Sequence, residues 1–242
     1  MTPLGGDRRL HILERLVGTD SAALDLKRLC ERTVEVTEMS GAGIMLMSGD
    51  IPQGTLCTTN DVSALIEELQ FTLGEGPCVD AYREDRPILE SDLLHPSTGR
   101  WVAFTGPAVE AGVRAVFGFP LQVGAVRLGA LNFYRDRAGP LSDTQLGDAL
   151  IVAEITAQAV LVVQADASPG TLAYSLEANS NFNYVIHQAS GMVAAQLDVS
   201  VAQALIRLRA HAFGVDQPLA AIANAVVART LRFEPDLNES ST

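Results

Sequence analysis

The spacing of hydrophobic residues alternates between helical and extended patterns over the first part of the chain. Apolar residues three to four positions apart predict helices at 20–39, 61–70 and 101–111, the first capped by Asp20 or Ser21. Short apolar runs between turn residues predict strands at 42–47, 55–59, 87–90, 115–123 and 126–134, and a tight turn at Gly124 joins the last two. Helices mixed with largely antiparallel strands indicate an α+β fold.

From Leu141 onward every predicted element is a helix. Ser142 or Asp143 caps a long helix, Ser200 caps a later one, and Asp216 caps the last one, with Pro218 in its first turn. The predicted helices are 143–165, 171–197, 201–213 and 216–233. The pattern divides the chain into an N-terminal extension (1–19), an α+β domain ending in a connector helix (20–165), an all-α three-helix domain (171–235) and a polar tail (236–242).

The connector helix is longer than a small domain needs. A long helix with an apolar stripe usually buries it against a partner helix, which predicts a homodimer formed through the connector. The alternative is a helix folded back on its own sheet.

Composition and charge narrow the class of protein. Hydrophobic residues make up 48 % of the chain and charged residues 19 %, enough for a buried core. The formal net charge of −12 argues against coating nucleic acid or an anionic membrane by bulk attraction. The N-terminus shows no signal peptide, and Glu154 interrupts the most apolar run. We therefore expect a cytoplasmic protein with no membrane association.

The cysteines give no indication of a metal or a disulfide framework. Cys30, Cys57 and Cys78 are odd in number and widely spaced, and no Cys/His cluster has zinc-site spacing. Neither a metal nor another cofactor is expected.

Several short motifs in the first domain resemble those of a GAF domain. They occur in the family's order and at its spacing over about residues 20–165: Gly74–Ala81, Asp92-Leu93, Arg100-Trp101, Gly112–Arg114, Phe119–Leu121 and Leu128–Tyr134. The resemblance implies a sensory module with a six-stranded antiparallel sheet flanked by helices. It also implies a small-molecule or protein signal received at this domain.

Three residues of these motifs are candidates for ligand binding: Glu75, Cys78 and Trp101. A thiol at a helix start, as Cys78 is expected to be, has a lowered pKa and can be reactive. The alternative is a tight structural turn with a buried cysteine, and Trp101 fits a packing anchor as well as a stacking platform. Arg100 is predicted to pair with Asp92 or Glu90.

The C-terminal helices resemble an ANTAR domain, the RNA-binding module of bacterial antitermination regulators. The matching residues lie in about 175–233: Ile186–Met192, Ser200, Ala204, Leu205, Leu208, Arg209, Ala212, Leu219, Ile222, Ala223, Val226 and Val227. The resemblance implies binding to RNA hairpins of a nascent transcript, under control of the sensory domain.

The predicted RNA-binding face is poor in basic residues. The family usually has Arg at the position of Asn183 and Lys at that of Ser190, and its basic residues near Gln217 and Pro218 are also missing. What remains is a small set of basic and polar residues that could contact phosphates or splayed bases: Arg207, Arg209, His211, Arg229, Arg232, Ser190, His187 and Asn183. The alternative is that these are solvated surface side chains.

Three functions remain open at this point. The first is a non-enzymatic, signal-responsive antitermination regulator that binds RNA. The second is a dimeric signalling protein whose ANTAR-like domain has lost RNA binding. The third is a GAF-type sulfoxide reductase using Cys78, although the sequence contains no arrangement of nucleophile and base.

Overall fold

The computed structural model describes residues 5–17, 25–49, 51–96, 98–166 and 183–234. The chain divides into two units, the N-terminal unit Met1–Asn179 and the C-terminal unit Ser180–Thr242. The described elements of the N-terminal unit are α1 (Gly5–Val17), α2 (Leu26–Thr37), β1 (Gly41–Ser48), β2 (Ile51–Thr58), α3 (Asp61–Leu73), α4 (Pro77–Glu84), β3 (Ile88–Glu90), α5 (Val102–Glu110), β4 (Ala115–Val123), β5 (Val126–Arg135) and α6 (Asp143–Asp166).

The strands form one antiparallel sheet in the order β2-β1-β5-β4-β3. The predicted hairpin between β4 and β5 is confirmed, and Gly124 occupies its turn with φ 58°, a conformation that glycine adopts without strain. The GAF resemblance implied six strands, whereas the described residues form five. Strand β5 lies at the centre, so its residues contact both β1 and β4.

One face of the sheet is covered by α1, α2 and α6. Side chains at alternate positions of β5, such as Leu131 and Phe133, share a core with Val152 and Val160 of α6. The alternative of a connector helix folded on its own sheet therefore describes residues 143–166. This helix is long and apolar enough to cross a membrane by composition alone, but its burial against the sheet is typical of a core helix.

The predicted N-terminal extension contributes to the same core. Ile12 of α1 is buried there, and the Arg8 guanidinium donates to both carboxylate oxygens of Asp148 in α6, at 2.6 and 2.8 Å. Arg9 and Glu154 form a second ion pair between these helices.

The opposite face of the sheet is covered by α3, α4 and α5. Gly118 of β4 permits a very close approach of α4, because a Cβ atom there would lie 2.3 Å from the carbonyl oxygen of Pro77. The second core, built around Ile66, Cys78 and Phe104, fills this layer.

Two predicted helix boundaries in the N-terminal unit change. Asp20 and Ser21 lie outside the described residues, but the helix cannot run on from them because Asp25 is extended, with φ −92° and ψ 107°. Asp25 caps α2 instead, accepting from the Lys27 amide at 2.9 Å. Helix α3 continues past the predicted end at Gln70 to Leu73.

The C-terminal unit contains α7 (Asn183–Leu197), α8 (Val201–Gly214) and α9 (Leu219–Val227) in its described part. Residues 171–182 of the predicted first helix lie outside the described residues. The prediction that Asp216 caps α9 and that it extends to Phe233 is wrong. Asp216 has φ 51°, and Arg229 at φ 62° ends the helical path. Ser200 caps α8 as predicted, through a capping box with Gln203.

Candidate functional site

A cluster of polar side chains is buried between α3 and the sheet. Glu67 and Gln70 point inward from α3 and Asn132 from β5, with exposed fractions of 1 %, 0 % and 2 %. Asn132 pairs with Gly43 on one side and Gly118 on the other, so it lies between two glycines of the same sheet row. We call Glu67, Gln70 and Asn132 the polar cluster.

Glu67 lies directly over the sheet because Gly43 leaves room for it. A Cβ at Gly43 would lie 2.6 Å from Glu67 Oε1. Burial raises the pKa of Glu67 to about 8, and the nearby side-chain amide of Asn132 offsets only part of this effect. The carboxyl is therefore mostly protonated at neutral pH, and neither of its oxygens has a hydrogen bond of good geometry.

Gln70 is held in a fixed orientation by the start of α4. Its Oε1 accepts from the Cys78 amide at 2.7 Å, while its side chain packs against Gly76, where a Cβ would lie 2.6 Å from Gln70 Cγ. Gly76 has φ 131°, a conformation that side-chain-bearing residues rarely adopt. Because Oε1 is engaged, Nε2 is left buried without an acceptor.

The structure brings the three predicted ligand-binding residues to the same end of this layer. The carboxylate of Glu75 accepts from the Ala103 and Phe104 amides, at 2.7 and 2.8 Å, at the start of α5. The indole of Trp101 donates to Asp80 at 2.8 Å and is buried. Both side chains thus stabilise the packing of α4 and α5.

Cys78 lies where the sequence places it, at the start of α4. Its side chain is fully buried, and burial together with nearby Glu67 raises the pKa of the thiol well above its ordinary value. The structure therefore agrees with the buried structural cysteine rather than with a reactive thiolate.

The predicted pairing of Arg100 is wrong. Its guanidinium lies 3.5 Å from Asp80 and 3.7 Å from Glu84, both in α4, and stacks over Trp101 at 4.8 Å from the ring centroid. The sequence suggested Asp92 or Glu90 because they are closer along the chain. Asp92 instead contacts His95, which lowers the pKa of Asp92.

In the C-terminal unit, three of the predicted basic residues lie on α8. Arg207 is exposed, while Arg209 and His211 are half-buried. His211 packs edge-on against Phe233, with the ring centroids 5.3 Å apart. Helix α8 contains no carboxylate.

The other predicted RNA-binding residues are more scattered. Arg229 and Arg232 are exposed, but they follow α9 instead of lying on it. His187 is half-buried on α7, and the side chain of Asn183 lies outside the part of the chain that the structure describes. Ser190 is fully buried and donates to the Ile186 carbonyl oxygen at 2.7 Å. Its hydroxyl therefore does not reach the surface.

The polar cluster was not predicted from the sequence. Gln70 and Asn132 each stand between two apolar residues and Glu67 stands beside a second glutamate, and polar residues in such places are typical of surface positions. The one available signal was the order Glu67–Gln70–Phe71, which places two polar residues on the same helix face as Ile66. Within the described residues, no group of three or more His, Cys, Asp or Glu side chains is placed to hold a metal ion.

Comparison with solved structures supports the fold. The GAF domain of an Acinetobacter phosphoenolpyruvate-protein phosphotransferase is 11 % identical, covers 68 % of this chain and 98 % of its own length, and has a TM-score of 0.51. The corresponding domain from Coxiella burnetii is 16 % identical, covering 65 % and 95 %, with a TM-score of 0.49. A free methionine-R-sulfoxide reductase from Thermoplasma acidophilum is 14 % identical, covering 56 % and 95 %, with a TM-score of 0.43. Of these three, the Acinetobacter domain alone has a TM-score above 0.5, and at 11 % identity it bears on the fold only.

Comparison with known sequences identifies the family. No curated protein matches the chain. The GAF domain family matches residues 26–161, from the first residue of α2 into α6. This match covers more than half of the chain and ends before the C-terminal unit, whose ANTAR-like character stays a prediction. The chain therefore belongs to the GAF domain family.

Proposed function

We propose that the chain is a signal-responsive antitermination regulator in which a GAF sensory unit controls RNA binding by the C-terminal helices. The observation that carries the proposal is the charge of α8, where Arg207, Arg209 and His211 occur on a helix without a carboxylate. The chain as a whole is strongly acidic, with 29 Asp and Glu against 17 Lys and Arg. A carboxylate-free helix in such a chain suits an anionic partner.

The exposed side of α8 also offers surface for unstacked bases. Phe213 is 80 % exposed and Ile206 61 %, and because they are seven residues apart they lie on one side of α8, about a quarter to a third of a turn from Arg207. Proteins that recognise RNA loops combine phosphate contacts from arginine with stacking of bases on aromatic side chains. Ser190 is left out of the proposed RNA face because it is buried.

The same surface favours a second candidate function, a dimeric interaction protein without RNA binding. Large exposed apolar side chains also suit a protein interface. In this case Phe213 and Ile206 bind another polypeptide, and the charge of Arg207 contributes little. Both proposals include a homodimer. In the first it forms through the connector helix α6, whereas in the second the contact between the two copies includes Ile206 and Phe213 of α8.

We propose no enzymatic activity for the chain. The Cys78 thiol that a sulfoxide reductase would need is buried, and its raised pKa keeps it protonated. A Cys78→Ser variant that reduces methionine sulfoxide no more slowly than the parent chain would exclude a catalytic role for this residue.

The deciding experiment is a titration of the full chain against a double-hairpin RNA pool at two salt concentrations. We expect saturable binding that weakens with salt. Removing Arg207 and Arg232 together, each as Arg→Gln, should weaken binding. It should also reduce the slope of log K against log salt by about 0.7–0.9 for each phosphate that no longer has an arginine partner. Arg83→Gln, which removes an exposed arginine of α4, is the matched control.

The outcomes separate the two candidates. Binding no tighter than to an unrelated hairpin, by a dimer verified by light scattering, contradicts the RNA proposal. If Ile206→Ser with Phe213→Ser then converts the dimer to a monomer, the interaction function replaces it. Weaker RNA binding by the variant with both Arg207→Gln and Arg232→Gln, but not by Arg83→Gln, supports the regulator.

A further inference from the structure

Buried polar atoms without hydrogen-bond partners are concentrated in the polar cluster. Among the described side chains, four buried nitrogen or oxygen atoms without a hydrogen-bond partner belong to Glu67, Gln70 and Asn132. Each such atom in a protein interior costs free energy unless water or a ligand satisfies it. This concentration therefore points to an occupant at one place in the GAF unit.

The chemistry of the four atoms defines what can occupy the site. When Glu67 is ionised, both of its oxygens and Asn132 Oδ1 are acceptors, whereas Gln70 Nε2 is the single donor. Gln70 cannot rotate to exchange these roles, because its Oε1 is bound to the Cys78 amide. The site is thus rich in acceptors and suits a group with several N–H donors.

The packing shows that the cluster is built into the fold. Two glycines of the sheet row, Gly43 and Gly118, flank Asn132, and Gly43 is required for Glu67 to lie against the sheet. An aliphatic residue on the inner face of α3 would fill this space at no electrostatic cost. Three buried polar side chains at these positions serve recognition better than stability.

We propose that the polar cluster recognises the primary ammonium or guanidinium group of a small organic cation. This inference rests on the sensory part of the proposed function and names the class of its signal. The N–H donors of the cation bind the carboxylate of Glu67 and Oδ1 of Asn132, and Gln70 Nε2 donates to an acceptor elsewhere on the ligand. The negative charge of ionised Glu67 neutralises the positive charge of the cation.

Binding of a cation ionises Glu67 and releases its proton to solvent. In the unliganded protein the carboxyl has a pKa of about 8, so it is almost fully protonated at pH 6. Two thiols interact electrostatically with Glu67, those of Cys78 in α4 and Cys57 in β2, and both have raised pKa values and stay neutral. Glu67 is therefore the source of the released proton.

The test is isothermal titration calorimetry of the full chain with methylammonium and with low-millimolar guanidinium. Buffers of different ionisation enthalpy report the number of protons released. We expect about one proton per cation at pH 6, and an affinity that rises about tenfold per pH unit up to pH 8. Tetramethylammonium, which has no N–H, and K⁺ should not bind.

Two variants of neighbouring residues make the test specific. Glu67→Gln should bind both cations at least about tenfold more weakly than the parent chain and should release no proton. A tenfold loss of affinity corresponds to one unit of the pKa of the linked carboxyl. Glu68→Gln, the adjacent and partly exposed acid of α3, should behave like the parent chain. Trp101 fluorescence verifies that each variant is folded.

Two outcomes overturn the inference. One is absence of binding by both N–H cations to the folded parent chain, in which case water alone occupies the cluster. The other is binding that Glu67→Gln leaves unchanged. RNA binding by the same preparation separates this failure from failure of the proposed function, since RNA affinity without cation binding refutes only the inference.

Discussion

Replacing Glu67 with glutamine should stabilise the GAF unit, and the gain should grow as pH rises from 5 to 8. Burial raises the pKa of Glu67 from 4.5 to about 8. Between these values the unfolded chain has lost a proton that the folded protein keeps, so the free energy of unfolding falls with pH. The fall is about 1.4 kcal/mol per pH unit and about 5 kcal/mol over the whole window, and it stops above the pKa of the folded state.

Urea unfolding, monitored by fluorescence, measures this effect. Trp101 is the only tryptophan in the sequence and is buried in the GAF unit, so its emission reports on that unit alone. Urea is the denaturant required, because guanidinium is itself a proposed ligand. Glu31→Gln, which removes an exposed carboxylate of α2, is the control and should change the free energy of unfolding little at any pH.

The quantity compared is the stability of Glu67→Gln minus that of the parent chain at each pH. Groups that titrate equally in both proteins cancel in this difference. A difference that stays constant from pH 5 to pH 8 would show that Glu67 is ionised in the folded protein, and the argument for a buried neutral carboxyl would fail.

Three other substitutions test the packing of the two units. Gly118→Ala should destabilise the GAF unit by at least about 2 kcal/mol in urea unfolding, since the added Cβ would meet the Pro77 carbonyl oxygen at 2.3 Å. Gly147→Ala in α6, where a Cβ would meet nothing within 4 Å, should instead stabilise it by up to about 1 kcal/mol, and equal urea midpoints for the two variants would contradict both expectations. Ser200→Ala removes the capping box of α8 and should cost the C-terminal unit about 1 kcal/mol in thermal unfolding followed by circular dichroism, whereas an unchanged transition would show that the cap is dispensable.

The elements that the sequence predicts well are those bounded by turn-forming or helix-capping residues. The hairpin at Gly124 and the cap at Ser200 each rest on residues that determine the backbone nearby. Such signals act over a few residues and need no knowledge of the remaining fold. The start of α2 after Asp25 was not predicted, because Asp20 and Ser21 are equally good capping residues and the local signal does not choose among the three.

The polar cluster could not be predicted, because it depends on contacts between distant parts of the chain. Glu67 and Asn132 are 65 positions apart in sequence and meet only when α3 packs on the sheet. The pairing of Arg100 with Asp80 and Glu84 has the same origin. Burial of the Ser190 hydroxyl follows from helix packing that periodicity alone did not resolve.

The central position of β5 has a mechanical consequence. Asn132 points toward α3, while its neighbours Leu131 and Phe133 point into the core shared with α6. A rotation of β5 about its own axis would move the side chains on both faces of the sheet at the same time. A ligand bound in the layer beneath α3 can therefore shift α6 through the two peptide bonds that flank Asn132. No flexible loop lies between the two faces to absorb the movement.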